Sequence, residues 1–443
     1  MLVGGIHGDE PAGAFAADQI RHWPVTRGKL IVIPRANRKA LEAKTRRLPG
    51  LEGEDGDLNR HFPASVGEGG TRSLLAGAIW DLVKETKPDW IIDLHEGTEI
   101  HRINPESVGS TLIYLADKKT EPFFEHALAA VNASIEDPQK LFLPLTRTGG
   151  SNGSLVSAAR EHLGATTAIF ETTHSAWPLG IRIRQHRLMV HRLLKDLGMI
   201  AGEPDDLIFN NGNDSRIAVA IFVGPGVGGA GPLSIDETLN ASPDRFISRI
   251  IGPGEVQNGT LDQFDVVIFP GGSGSRQAAG IGEKGRARVR EFVSKGGGYV
   301  GICAGCYLAC ENFSWSLKIL DARTKSSKWK RGVKELELGF TGNSLELLSL
   351  ESPSAPVQYA NGPVMEPAGS PDLADYTTLA VFKTEVAENG TPKGIQIDSP
   401  AILTGTFGGG RVVGISPHPE QSGGLKAIVP RLIEWSVGDD PGR

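Results

Sequence analysis

Over the first two hundred residues, short apolar runs of β type alternate with longer stretches of helical period. Lys29 to Pro34, Trp90 to Leu94, Ser110 to Leu115 and Thr167 to Glu171 predict strands, and Gly13 to Trp23, Ser73 to Thr86 and Gln185 to Leu197 predict amphipathic helices. Strands that alternate with helices define an α/β unit. Between residues 201 and 215 the periodicity is lost and turn formers collect, through Gly202-Glu203-Pro204-Asp205-Asp206 and Asn210-Asn211-Gly212-Asn213-Asp214, which predicts a linker. A second α/β series follows. Ile217 to Val223 and Val266 to Phe269 predict strands, Gly285 to Ser294 a helix, Tyr299 to Ile302 a strand, and Cys303 to Cys310 the opening of a helix. Ala401 to Thr404 and Arg411 to Ile415 predict a hairpin around Gly408-Gly409-Gly410. The halves do not repeat one another, so the expected organisation is two fused domains, residues 1–200 and 216–437, joined by 201–215.

Composition narrows the class of protein. A chain of 443 residues is long enough for two separate cores, and 39% hydrophobic with 22% charged residues is the balance of a globular protein. A net charge of -6 gives no electrostatic footprint for nucleic acid, and the basic cluster Lys325 to Arg331 reads as a solvated loop. Apolar runs such as Ile217 to Val223 are strand-sized, far short of the roughly 20 residues of a membrane helix. No membrane partner is therefore expected. No secretory signal is visible, so a cytoplasmic location is the default expectation, although the abrupt start leaves room for an upstream segment. Cys303, Cys306 and Cys310 fall within eight residues and have no second cysteine cluster to pair with, which argues against a disulfide framework.

Chemistry enters with Gly4-Gly5-Ile6-His7-Gly8-Asp9-Glu10, Asp57-Leu58-Asn59-Arg60 and Asp93-Leu94-His95. A hydrolytic zinc needs three protein ligands and an open position for water, with nitrogen and carboxylate donors. His7 and Glu10 are three apart in a Gly-flanked turn after a short β run, and His95 ends an apolar run. These three are the candidate Zn2+ ligands. Alone, H-x-x-E is a common surface pattern; the combination in this order carries the reading.

With these motifs, residues 1 to 195 resemble the zinc carboxypeptidase superfamily, in its succinylglutamate desuccinylase and aspartoacylase branch. The stretches that carry the likeness include Ile33-Pro34-Arg35-Ala36-Asn37, Asn59-Arg60-His61-Phe62-Pro63 and Ile169-Phe170-Glu171-Thr172-Thr173. The resemblance implies a mixed sheet with flanking helices. It makes Glu171 the general base, Asn59 and Arg60 the binders of a substrate carboxylate, and Asp57 the residue that orients the first histidine. It also implies an electrophilic arginine upstream of Asn-Arg, for which Arg47 and Arg46 are both candidates. The implied substrate is a small molecule or short peptide with a free carboxylate, such as an N-acyl amino acid. Family members carry a strand or hairpin ahead of the metal motif, whereas six residues precede His7 here.

The second half presents Gly301-Ile302-Cys303-Ala304-Gly305 and Ser416-Pro417-His418-Pro419-Glu420. A cysteine nucleophile suits a sharp strand-to-helix turn with small neighbours, where the helix start favours the thiolate. His418 would be its base and Glu420 the residue holding that base. Backbone N–H groups at Gly272, within Pro270-Gly271-Gly272-Ser273-Gly274, and at Ala304 could form an oxyanion hole. Residues 216 to 437 thereby resemble the class I glutamine amidotransferase fold, a flavodoxin-like α/β/α sandwich, and most of all the amino-terminal domain of biotin-protein ligases. True glutaminases carry Gln four residues after the nucleophile, where this chain has Tyr307. The sequence thus predicts a zinc-dependent amide hydrolase fused to an amidotransferase-like domain. That second domain is either a reassigned Cys-His-Glu centre or a non-catalytic recognition module. A cysteine hydrolase with a degenerate zinc half is the remaining alternative.

Overall fold

The computed structural model describes residues 1–64, 70–147, 152–208 and 215–438. The chain divides into two compact units, 1–210 and 211–443. Six residues of the predicted linker, 209–214, lie outside the described residues. Among the described residues no helix is long and apolar enough to cross a membrane.

The first unit is built on strands β1 (Leu2–Gly4), β2 (Val32–Ile33), β3 (Trp90–Gly97), β4 (Thr111–Leu115), β5 (Leu143–Arg147) and β6 (Thr166–Thr173), in the order β2-β1-β3-β6-β4-β5. β2, β1, β3 and β6 run parallel, β4 is antiparallel to β6, and β5 is parallel to β4. The sheet is therefore mixed, as the resemblance implied. Because β1, β3 and β6 point the same way, their carboxyl ends deliver residues to one edge.

Two glycines set the helix Pro11–Ile20 against this edge: a Cβ on Gly4 would lie 2.4 Å from the Gly13 carbonyl oxygen, and one on Gly13 would lie 2.5 Å from that of Leu94. No side chain fits between this helix and β1 or β3. The helix Leu74–Thr86 starts where Ser73 accepts a hydrogen bond from the Ala76 N–H at 3.2 Å, an N-cap legible in the sequence. Its Ile79, Trp80 and Val83 enter a core with Val3, Ile6, Leu58, Phe62, Ile91 and Leu155. The helix Leu179–Asp196 begins six residues before the predicted start, directly after Pro178. Its early turns carry buried Arg182 and His186 on positions that break the apolar period, which hid them from a periodicity reading.

The second unit contains β7 (Ile217–Phe222), β8 (Phe246–Ile251), β9 (Val266–Phe269), β10 (Gly298–Ile302), β11 (Ala322–Thr324), β12 (Val333–Phe340), β13 (Ser354–Ala360), β14 (Met365–Pro367), β15 (Thr377–Phe382), β16 (Pro400–Phe407) and β17 (Gly410–Ile415). Nine of them form one sheet in the order β13-β12-β15-β16-β17-β10-β9-β7-β8, while β11 and β14 pair separately. β8, β7, β9, β10 and β17 are parallel. β16 turns back on β17 as the expected hairpin, and β15, β12 and β13 continue antiparallel. That antiparallel wing extends the sheet beyond what the sequence pattern predicted; β12 and β13 are only partly buried and lack a continuous apolar run. The helix predicted over Gly285 to Ser294 is longer, Gly274–Ser294, and is interrupted at Gly282 (φ 66°, ψ -176°). Both units are mixed α/β.

Candidate active sites

The turn after β1 and the end of β3 bring His7, Glu10 and His95 together, all buried, with ligand atoms within 4.8 Å of one another. His7 Nδ1 lies 2.8 Å from Glu10 Oε1, His95 Nδ1 lies 2.8 Å from Glu10 Oε2, and the two Nδ1 atoms are 3.2 Å apart. The opposite ring nitrogens face carboxylates: His7 Nε2 is 3.0 Å from Asp57 Oδ1, and His95 Nε2 is 2.9 Å from Asp93 Oδ2. A carboxylate on Nε2 holds the proton there and leaves the Nδ1 lone pair bare. Two bare lone pairs and a carboxylate then converge on one buried point, an arrangement that only a cation or added protons can stabilise. Nitrogen and carboxylate donors of this kind, each imidazole backed by an acid, fit a zinc ion.

Despite desolvation, Glu10 and Asp57 raise the His7 pKa, while Asp93 and Glu10 hold His95 well above its ordinary value. Glu10, although fully desolvated, is held well below the usual carboxylate range by the two imidazoles.

Parallel pairing places His95 opposite Glu171 in register, so both side chains leave the same face of the sheet. Glu171 is buried with Oε2 unpartnered, and desolvation, together with the Glu10 charge, pushes its carboxyl up to about 8 against the pull of His95 and His7. Of the two candidate arginines, the structure brings Arg46 to the cluster, where Nη1 lies 2.5 Å from Glu10 Oε1. Arg47 instead turns outward and donates from Nε to the Gly53 carbonyl at 2.8 Å. The Gly53 carbonyl thus holds the Arg47 guanidinium away from the cluster. Asn59 uses Oδ1 to accept the Leu155 N–H at 3.0 Å, and its Nδ2 stands 3.5 Å from His95 Nε2. Arg60 folds back on the Asn59 carbonyl at 2.7 Å.

Residues given no role in the sequence reading also gather here. Asp93 was legible, since strand alternation puts it on the face of His95. Glu96, on the opposite face, gave no such signal; its carboxylate pairs with Arg182, eighty-six residues away in the chain.

In the second unit Cys303 adopts φ 50° and ψ -96°, a left-handed conformation that a non-glycine residue holds only under strain, between β10 and the helix Ala304–Ala309. Close neighbours make the turn possible. A Cβ on Gly301 would fall 2.4 Å from the Gly305 oxygen, and one on Gly305 would fall 1.9 Å from that of Phe269. His418 Nδ1 lies 2.8 Å from Glu420 Oε1, and the ring also interacts electrostatically with the Cys303 thiol. Despite desolvation, these two partners push His418 up to about 10. Cys303 Sγ also donates to the Ala360 carbonyl at 3.5 Å. Gly272 (φ 134°) belongs to the loop that closes on this turn and Gly274 starts the helix that follows; a Cβ on Gly274 would lie 2.9 Å from the Ala304 oxygen. Tyr307, at the position of the glutaminase Gln, donates its hydroxyl to the Asn361 carbonyl at 3.2 Å.

Fold and site together define one mixed α/β unit with a buried His-Glu-His cluster and a second α/β unit with a strained cysteine turn. Residues 1–171 match the family model of the succinylglutamate desuccinylase/aspartoacylase catalytic domain, and residues 260–327 match that of the biotin-protein ligase N-terminal domain. No curated protein matches the chain. Among solved structures, the mDAP-bound form of Helicobacter pylori Csd4, a D,L-carboxypeptidase, is 20% identical with a TM-score of 0.39, over 50% of this chain and 61% of that one. PurLQS from Thermotoga maritima is 16% identical with a TM-score of 0.36, over 50% of this chain and 99% of that one. The ectoine utilization protein EutE (DoeB) from Ruegeria pomeroyi is 24% identical with a TM-score of 0.32, over 46% of this chain and 58% of that one. The chain thus spans about three-fifths of the length of the Csd4 structure it matches.

Proposed function

We propose that the first unit is a zinc-dependent hydrolase that cleaves an amide bond next to a carboxylate-bearing residue, in an N-acyl amino acid or a short peptide. The observation that carries this reading is the convergence of His7 Nδ1, His95 Nδ1 and the Glu10 carboxylate, with Asp57 and Asp93 behind the imidazoles. His7, Glu10 and His95 hold the ion, which when bound acidifies a water and polarises the amide carbonyl. Glu171 accepts the proton of the attacking water and returns it to the leaving amine as the C–N bond breaks. Burial of Glu171 suits both transfers, because a desolvated carboxylate is a stronger base than a hydrated one. Arg46 lies where a guanidinium can steady the developing oxyanion, and Arg60, with Asn59, binds the substrate carboxylate.

The test is metal analysis of the purified full chain, followed by hydrolysis of N-acyl amino acids and cell-wall-type peptides with and without chelator. Near-stoichiometric zinc, lost together with turnover in His95→Ala, is the expected result. A chain that hydrolyses the same substrates without zinc sinks the reading.

The second unit carries its own reading, a cysteine hydrolase centre in which His418 activates Cys303 and Glu420 orients His418. The strained conformation of Cys303 favours it, since a purely structural cysteine has no use for such a turn. Tyr307 in place of Gln argues against glutamine as its substrate. Rapid, selective alkylation of Cys303, abolished in His418→Ala, is expected; an inert thiol leaves a recognition module instead.

A further inference from the structure

We propose that Glu96 is a positioning residue that frees Glu10 for the metal by capping, in its place, the helix Pro11–Ile20. The inference rests on the zinc reading of the first unit. Glu10 is itself the N-cap of that helix, with φ -111° and ψ 64°, yet its side chain makes no capping bond. A polar side chain at the N-cap normally accepts an N–H from the second or third helical residue. Were Glu10 to do so, its oxygens would turn from His7 and His95 toward its own backbone.

The structure gives that duty to another carboxylate. The N–H of Ala12, the second helical residue, donates to Glu96 Oε1 at 2.7 Å. In return the backbone N–H of Glu96 donates to Glu10 Oε2 at 3.1 Å. Each glutamate thus holds the other's segment: the Glu96 side chain fixes the helix start and the Glu96 backbone fixes the Glu10 carboxylate.

Strand alternation makes the exchange possible. His95 leaves β3 toward the cluster, and Glu96 leaves it toward the opposite face, where the helices Pro11–Ile20 and Leu179–Asp196 lie. There Arg182 pairs with Glu96 Oε2, Thr172 Oγ1 donates to the same oxygen at 3.4 Å, and Arg182 Nε donates to the Trp177 carbonyl at 3.0 Å. The Glu96 side chain is wholly buried, so its charge depends on these partners. An apolar pair would pack the same space at less cost, which makes the helix cap the feature that requires an acceptor oxygen here.

The experiment measures zinc affinity of the full chain by competition with a chromophoric chelator, alongside the melting temperature of each metal-free variant. Glu96→Leu/Arg182→Met removes the acceptor without stranding a buried charge, and is expected to weaken zinc binding about 10- to 100-fold, the usual scale for partners of a ligand. Glu96→Gln/Arg182→Met restores an acceptor oxygen for Ala12 and should recover affinity to within about threefold of wild type. Glu96→Asp withdraws the acceptor by one methylene while keeping the Arg182 partner, and should weaken binding about tenfold even if the apolar pair fails to fold. Zinc affinity unchanged in Glu96→Asp or in the Leu/Met variant overturns the inference, as does a Gln/Met variant no better than Leu/Met. Wild-type protein that binds no zinc overturns the functional reading itself.

Discussion

Replacing Glu171 by Gln should raise the stability of the metal-free protein at neutral pH while removing catalysis, and both effects follow from one buried carboxyl. Burial, which disfavours its charged form, pushes the Glu171 carboxyl up to about 8 in the fold from an ordinary 4.5. An acid whose pKa rises on folding costs no stability below its unfolded value; the cost grows as pH climbs toward the folded value. From 4.5 to pH 7 the unfolded chain has released its proton and the folded chain has kept it, a span of two and a half units. At about 1.4 kcal/mol per unit, this is a penalty of about 3 kcal/mol that Gln, neutral throughout, does not incur.

Native-state hydrogen exchange of the β6 amides, in metal-free protein, reads that difference locally and avoids assuming that both units unfold together. Glu171→Gln should gain about 2 kcal/mol over wild type between pH 5 and pH 7, with little difference below pH 4.5. With zinc restored, the same variant should lose about 100- to 10,000-fold in kcat, the range of a general base. A stability difference that does not change with pH would refute the assignment of the raised pKa to Glu171. A variant keeping a tenth of the wild-type rate would refute its role as base.

Asp57→Asn and Asp93→Asn should each weaken zinc binding about 10- to 100-fold, since either change loosens the tautomer that bares Nδ1; chelator competition measures it. Arg46→Ala is expected to lower kcat by about 10- to 1,000-fold, whereas Arg47→Ala should stay within about twofold, in steady-state assays on one substrate. Gly271→Ala sets a Cβ 2.5 Å from His418 Cε1 and should slow alkylation of Cys303 at least tenfold, with a stability loss of about 1–3 kcal/mol. Because the folded pKa of His418 is raised to about 10 from 6.5, its contribution to stability is complete below pH 6.5 and fades as pH rises toward 10. Thermal melts across that window should show the decline in wild type and a flatter profile in His418→Asn.

Much of both sites lay open in the chain itself. His7 and Glu10 share a turn, Asp93 and His95 share a strand face, and Cys303 sits between glycines after a β run; each is a local arrangement fixed by backbone period and by the small size of its neighbours. The parallel core strands were legible for the same reason, since strands buried on both faces are continuously apolar. Other features depended on pairing between distant segments. Which arginine reaches Glu10 depended on the Gly53 turn, and the half-exposed strands β12 and β13 joined the sheet because β15 offered an edge to β12 and β12 offered one to β13. Glu96 shows the boundary between the two. Sequence placed it beside the candidate ligand His95, but its partners Ala12 and Arg182 come from helices 84 and 86 residues away, and tertiary packing alone set its carboxylate at the start of one and against the guanidinium of the other. Local chemistry is written in adjacent residues, whereas a buried charge is defined by whatever the fold brings to it.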